Sequence, residues 1–370
     1  MRTPLIERRR FLAATAALPV VAVSGVPAWA ADGAATRTTD DERRARRVLD
    51  DLIARDGLPG AQAVVTRPGG RTTQVLAGAG DLRTGRPYPH DARLRTASNT
   101  KTFTATTVLQ LVAEGRLALD EPISRRLPWV PGKATVRQVL RHESGFHDFT
   151  EDVNEHARGH YRARDLARGA LRRPSRFEPG ERWEYCNTNY VLAGLLIEAV
   201  TGRPAENEIT RRVIRPLGLR HTFWPRYPEQ GLRGPHARAY MPPGHTEVNW
   251  INTSVVGTAG ALVSTGRELN TFFRALLGGR LLPPAMLAEM RRTVPADIAE
   301  GARYGLGLAS FPLPGGGVFW GHGGTIEGTR TRGGVTGAGL AVTVAVNEIA
   351  ADPHGSQHLM DAAAAILRSH

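Results

Sequence analysis

An α+β fold is predicted for this 370-residue chain: one antiparallel β-sheet assembled from both chain ends, flanked by helices, with a helical lobe inserted between them. Three observations predict it. Strand-like apolar runs lie near the two ends of the chain. From about residue 105 to about residue 300 the apolar period is instead helical. Finally, Cys186 is the only cysteine, so no intrachain disulfide is available and the fold must rest on a buried core, which a chain of this length can supply.

The first thirty residues read as an address rather than as structure. MRTPLIERRRFLAATAALPVVAVSGVPAWA places Arg8-Arg9-Arg10 before an apolar stretch from Phe11 and ends in small residues, the pattern of a twin-arginine export signal over 1–30 with cleavage after Ala30. The other reading, a retained anchor, is opposed by the shortness of that stretch and by Pro19 within it. The best later run, Gly339 to Val346, is less than half a membrane span. The mature protein is therefore expected to hold no stable span, and to be secreted or kept at the cell envelope. Residues 31–41 read as a linker and 42–370 as a single domain, with a sheet lobe at about 45–97 and 303–370 and a helical lobe at about 98–302.

Within that domain Val48, Leu49, Leu52 and Ile53 have helical spacing, ended by Gly57 and Pro59. Gln62 to Thr66 and Thr72 to Ala77 read as strands joined across Pro68-Gly69-Gly70 in a hairpin. Ala105, Val108, Leu109 and Val112 then fall at i, i+3, i+4 and i+7, a helix closed by Gly115. Further helices are expected at Val136 to Arg141, Ala163 to Arg172, Tyr190 to Thr201, Leu269 to Leu277 and Pro284 to Arg292. Strand signals return at Val318 to Trp320 and Gly339 to Val346, and a last helix runs from about Gln357 to Leu367.

The net charge is +13, and it falls to +10 when the signal's four arginines and one glutamate are removed. The excess is scattered, with no basic and aromatic pattern of a nucleic-acid surface. It reads either as a solvated arginine-rich surface or as attraction to an anionic envelope. Of 48 basic residues only Lys101 and Lys133 are lysine. A lysine that persists in such a chain marks a place where arginine fails.

Lys101 stands three residues after Ser98 in RTASNTKTF, at a predicted helix start, where i and i+3 share a face. A serine hydroxyl needs a neighbour to take its proton, and a desolvated lysine can do so where arginine cannot. In RWEYCNTNY, Tyr185 could serve as a base if its pKa of about 10 fell by about three units, and a nearby Lys101 would help. Asn187 has an amide suited to holding a substrate amide or Lys101 itself. Alternatively, Tyr-x-Asn is helix-entry chemistry with Asn187 as a cap. In GVFWGHGGTIEG, a strand followed by small residues lets a substrate backbone approach, an edge N–H can join that of Ser98 on an oxyanion, and His322 adds a titratable, sometimes positive group. A phosphate loop is opposed because no helix with a lysine follows Gly324. Zinc is opposed because His142 and His147 are five apart across Gly145, and His156 and His160 lack a nearby acidic base. No metal or other cofactor is expected.

The order Ser98-x-x-Lys101, Tyr185-x-Asn187, then His322-Gly323-Gly324 resembles the serine β-lactamase and penicillin-binding protein superfamily. Over residues 45 to 367 it is similar to the group holding class C β-lactamases, secreted D-alanyl-D-alanine carboxypeptidases, D-aminopeptidases and related esterases, and closest to the carboxypeptidases. The resemblance implies a β-lactamase/transpeptidase-like fold and an acyl-Ser98 intermediate. It implies that Lys101 and Tyr185 handle the proton, Asn187 holds the substrate amide, His322, Gly324 and Thr325 border the substrate, and the N–H groups of Ser98 and Thr325 bind the oxyanion. The implied substrates are small peptides, esters or β-lactams, including peptidoglycan stem peptides. The function the resemblance implies is an exported serine hydrolase of D-alanyl-D-alanine carboxypeptidase type acting on cell-wall peptides; a β-lactamase or esterase of the class C-like group, and a non-catalytic envelope-binding protein, are the alternatives. Two departures touch the substrate's carboxylate. Gly323 stands where the carboxypeptidases have a threonine, and after YGLGL the chain has Ala309 and Ser310 where they place an arginine; Arg330 or Arg332 is left to compensate.

Overall fold

The computed structural model describes residues 40–154, 156–228, 230–248 and 250–368. The signal assigned to 1–30, and the linker up to residue 39, lie outside them. The linker's last two residues instead open helix α1 (Asp40–Asp56). Ala45, Leu49 and Leu52 form one buried stripe there, which the surrounding arginines hide in the sequence.

Strands β1 (Gly60–Thr66), β2 (Thr72–Asp81), β3 (Arg86–Pro87) and β4 (Arg93–Arg95) follow, then helices α2 (Thr100–Ala113), α3 (Val136–Leu140), α4 (Ala163–Leu171), α5 (Thr188–Thr201) and α6 (Ala205–Ile209). Next come β5 (Tyr240–Met241), β6 (Thr246–Glu247), α7 (Thr253–Gly260), β7 (Val263–Thr265), α8 (Gly266–Leu277) and α9 (Pro284–Met290). The chain returns to strand in β8 (Val294–Pro295), β9 (Arg303–Tyr304), β10 (Ala309–Pro312), β11 (Val318–Ile326), β12 (Thr329–Thr336) and β13 (Ala341–Val346), and ends in α10 (Gly355–Leu367).

Nine strands make one antiparallel sheet in the order β3-β2-β1-β13-β12-β11-β10-β9-β8. The two parts of the chain meet where Ala61 pairs with Val346 and Val65 with Val342, as the α+β reading required. Strand β13 is buried on both faces, and its period of two divides it between two cores. Val342, Val344 and Val346 pack with α1 and α10, whereas Ala341 and Ala345 belong to the core built around α2, α5 and α8. Phe103 of α2 stacks on Phe272 of α8 with ring centroids 3.6 Å apart. Asn270 pins α8 to the sheet, its Nδ2 donating to the Val64 carbonyl and its Oδ1 accepting from Thr343 Oγ1, both at 2.8 Å.

The sheet differs from the sequence reading in three places. Strand β12, TRTRGGVT, has too few apolar residues to register as a strand. It pairs closely because its glycines leave no side chain in the way: a Cβ on Gly333 would lie 2.3 Å from the Val342 carbonyl oxygen. Strand β11 continues six residues past Trp320, through the glycines, to Ile326. The sheet also begins at Val294, inside the stretch assigned to the helical lobe, because β8 pairs with β9 at its outer edge. Among the described residues no helix is long and apolar enough to cross a membrane.

Candidate active site

Residues Ala97–Asn99 form one 3₁₀ turn that runs straight into α2. Ala97 is held at φ +46°, a left-handed conformation that costs an L-residue energy and that its small side chain makes tolerable. In this tight turn positions i and i+3 nearly eclipse. Lys101 Nζ accordingly lies 3.0 Å from Ser98 Oγ, 2.7 Å from Asn187 Oδ1 and 2.8 Å from the Ala259 carbonyl oxygen.

Lys101 is fully buried. Burial pulls its ammonium down to about 7, with the negative charge of Asp148 opposing only in part. Near neutral pH much of the amine is therefore uncharged. In that form its two N–H bonds serve Asn187 and Ala259, and its lone pair faces the serine hydroxyl.

Asp148 orients Asn187: its Oδ2 accepts from the Asn187 backbone N–H at 2.7 Å and from Nδ2 at 3.0 Å. That leaves the Asn187 carbonyl oxygen aimed at Lys101. Of the two tasks read for this amide, the structure displays the hold on the lysine.

Tyr185 lies beside the same ammonium, with Nζ 5.0 Å from its ring centroid, and His142 stacks on it at 4.3 Å. Burial pushes the phenol up, outweighing the Ser98 hydroxyl and the Arg332 charge that favour phenolate. The expectation of a phenol lowered by Lys101 is thus reversed. Burial penalises any charge, so the amine sheds its proton and the phenol keeps its own.

The far wall is β11. Strand β10 pairs with it only from Val318 to Gly321, leaving His322 to Ile326 without a strand on that side. Gly324 lets this edge lie against the serine turn, since a Cβ there would sit 2.2 Å from the Thr96 carbonyl oxygen. Asn99 Nδ2 completes the joint, donating to the Thr96 carbonyl and to Thr331 Oγ1 of β12. His322 is buried, with Nε2 2.9 Å from the Tyr304 hydroxyl and Nδ1 2.5 Å from the Gly323 carbonyl oxygen. Burial drives it down to about 3, so it is a neutral imidazole and not the positive group expected.

A cavity of 380 Å³ joins Ser98, Tyr185, Asn187, His322, Gly324 and Thr325, with Arg332 and Gly323 also in its wall. Lys101 lies behind Ser98. Ala309 and Ser310 are buried in β10 opposite Gly321 and Trp320, and neither lines the cavity. The histidines weighed for zinc face separate partners, His142 Nδ1 accepting from the Cys186 N–H and His147 Nε2 lying 3.1 Å from Asp152 Oδ2. Sequence reasoning missed Asp148, Tyr304 and the stacking of His142. Asp148 and His142 lie in RHESGFHDF and Tyr304 in YGLGL, stretches singled out for other reasons, so only their roles were hidden.

The Beta-lactamase family model matches residues 45–365 of this chain. Among solved structures, a D-stereospecific amidohydrolase from Streptomyces sp. is 38% identical, with a TM-score of 0.77 over 85% of this chain and 97% of that one. The D-amino acid amidase from Ochrobactrum anthropi SV3 is 30% identical, with a TM-score of 0.82 over 89% of this chain and 98% of that one. Esterase EstB of Burkholderia gladioli is 34% identical over 195 residues, 47% of this chain and 49% of EstB. The chain spans about half or less of the length of the curated relatives it matches.

Proposed function

Because the chain belongs to the beta-lactamase family of serine hydrolases, with the family match covering residues 45–365, we propose that it hydrolyses small amides or peptides of D-configured amino acids through an acyl-Ser98 intermediate. The observation that carries this is the contact of Lys101 Nζ, buried behind Ser98, with Ser98 Oγ at 3.0 Å, beside a cavity walled by the free edge of β11. In the proposed sequence neutral Lys101 takes the Ser98 proton as Oγ attacks the carbonyl carbon. The N–H groups of Ser98 and Thr325 receive the oxyanion. Tyr185, protonated at rest, gives its proton to the leaving nitrogen; in deacylation it takes one from the attacking water, and the Lys101 ammonium returns its proton to Ser98 Oγ as the acid leaves.

The likeness to a D-stereospecific amidohydrolase and a D-amino acid amidase over nearly their whole length supports D-amino-acid amides as substrates. A D-alanyl-D-alanine carboxypeptidase on cell-wall stem peptides is the second reading, favoured by the buried arginine in the cavity wall. EstB supports esters as alternative acyl donors. Mass spectrometry of protein quenched during turnover of a p-nitrophenyl ester is expected to place the acyl group on the tryptic peptide 96–101, at Ser98. Turnover with no adduct there would remove this reading.

We also propose that the enzyme works outside the cytoplasm. The motif Arg8-Arg9-Arg10-Phe11-Leu12 supports export in the folded state, which suits a chain without disulfides. Protein recovered from its native cells is expected to begin at Ala31; an intact Met1 terminus on the bulk of it would refute export by cleavage.

A further inference from the structure

Helices α1 and α10 pack into one core and meet at a group of side chains far apart in the sequence. Asp56 is the last residue of α1, and its side chain is 1% exposed. Its Oδ1 lies 2.7 Å from His358 Nδ1 of α10, 302 residues later. Its Oδ2 is buried and has no hydrogen-bond partner. Arg330 is near enough for its charge to act on Asp56, but its Nε donates to Thr325 Oγ1 and it makes no bond to Oδ2. A carboxylate oxygen buried without a partner is costly to keep. It therefore marks a place where a positive group is missing.

The donors around that oxygen suit a metal ion. Asp56, Asp352 and His358 each offer one ligand atom, and these atoms lie within 4.8 Å of one another. Asp352 Oδ1 accepts the His354 backbone N–H at 2.7 Å, which holds the exposed carboxylate at the entrance to α10. His354 stands four residues before His358 on the same helix face, with ring centroids 6.4 Å apart. Two histidines at this spacing on a helix are a recurrent frame for a transition metal. Gly355 lies between them, and a Cβ there would sit 3.6 Å from Asp56 Oδ2, so that oxygen faces the first turn of α10.

We propose that Asp56, Asp352 and His358 bind one divalent transition-metal ion of zinc type, with His354 in reach as a fourth ligand, and that the ion ties the end of α1 to the start of α10. Ligands held about 2.1 Å from one ion stand no more than about 4.2 Å apart. The exposed Asp352 side chain can turn to close that difference. A set of carboxylate and imidazole without thiolate suits zinc, whereas calcium and magnesium favour oxygen alone. Two carboxylates also match the charge of the ion. The zinc patterns weighed in the sequence lie at other histidines, and this ion is structural, outside the acyl-transfer chemistry. In a chain with no disulfide it would staple together helices from the two ends of the domain.

Calorimetry on tag-free protein stripped with EDTA is expected to show one Zn²⁺ bound per chain. Saturating Zn²⁺ should raise its Tm by about 3 °C or more, since only the folded chain brings the ligands together. Ca²⁺ should give no comparable shift. Asp352→Asn keeps an acceptor for the His354 N–H, and Asp56→Asn keeps one for His358, but each loses a charged ligand. Each should weaken Zn²⁺ at least about tenfold, a loss that even an indirect partner of a metal ligand can cause. Asp352 is exposed, so its variant isolates the lost ligand from any loss of packing. Absence of one-to-one binding would overturn the proposal and leave Asp56 and His358 as a hydrogen-bonded tether. Binding left unweakened by either aspartate variant would also overturn it, because the ion would then sit at other surface histidines. None of these readouts depends on turnover or on Ser98.

Discussion

Lys101→Arg is expected to lower kcat/KM by about 10²–10⁴-fold, the range for loss of a general base. Arginine restores the charge but stays protonated at every accessible pH, so it has no lone pair for the Ser98 proton. The wild-type profile should show the cause. With Lys101 held at about 7, kcat/KM should rise about tenfold per pH unit below 7 and level off above it. The limb should be absent from Lys101→Met, which removes the buried charge as well as the base. Stability should move with the same group. Its folded value lies below the ordinary 10.5, so between about 7 and 10.5 the unfolded chain binds more protons and stability rises with pH. Below about 7 the full cost of burying the ammonium is present. Near wild-type turnover by Lys101→Arg would show that positive charge alone suffices at this position.

Tyr185→Phe should separate substrates by their leaving group. An amide nitrogen must be protonated as it departs, so kcat/KM for amides should fall about a hundredfold or more. A p-nitrophenolate leaves without a proton, and kcat/KM for that ester, which reports acylation alone, should fall less than about tenfold. Turnover number should fall for both, because the phenol is also asked to activate the deacylating water. Equal losses in kcat/KM for amide and ester would mean instead that Tyr185 acts on Ser98 itself. The structural basis is the opposite effect of one environment on two groups. Burial favours the uncharged form of each, which makes the amine a base and the phenol an acid.

Much of the site was legible in the sequence because its chemistry is local. Ser98 and Lys101 are one turn apart, and in a chain with only two lysines the placement of i and i+3 on one helix face was enough to pair them. The strands of the β1–β2 hairpin and of β13 were legible for a similar reason, since apolar period two is written in consecutive residues. Strand β12 was not, because glycine and arginine say nothing of a strand until Val342 and Gly321 are seen packed against them.

The sequence by itself determined the fold class, the pairing of Ser98 with Lys101 and the order of the motifs. Only the tertiary structure decided protonation and contact. That the Lys101 ammonium is pulled down to about 7, that Tyr185 keeps its proton, that His322 carries no charge, and that Arg332 occupies the space above Gly323 all depend on which elements close over which side chains. Desolvation is a property of the packed surroundings, and no local spacing encodes it.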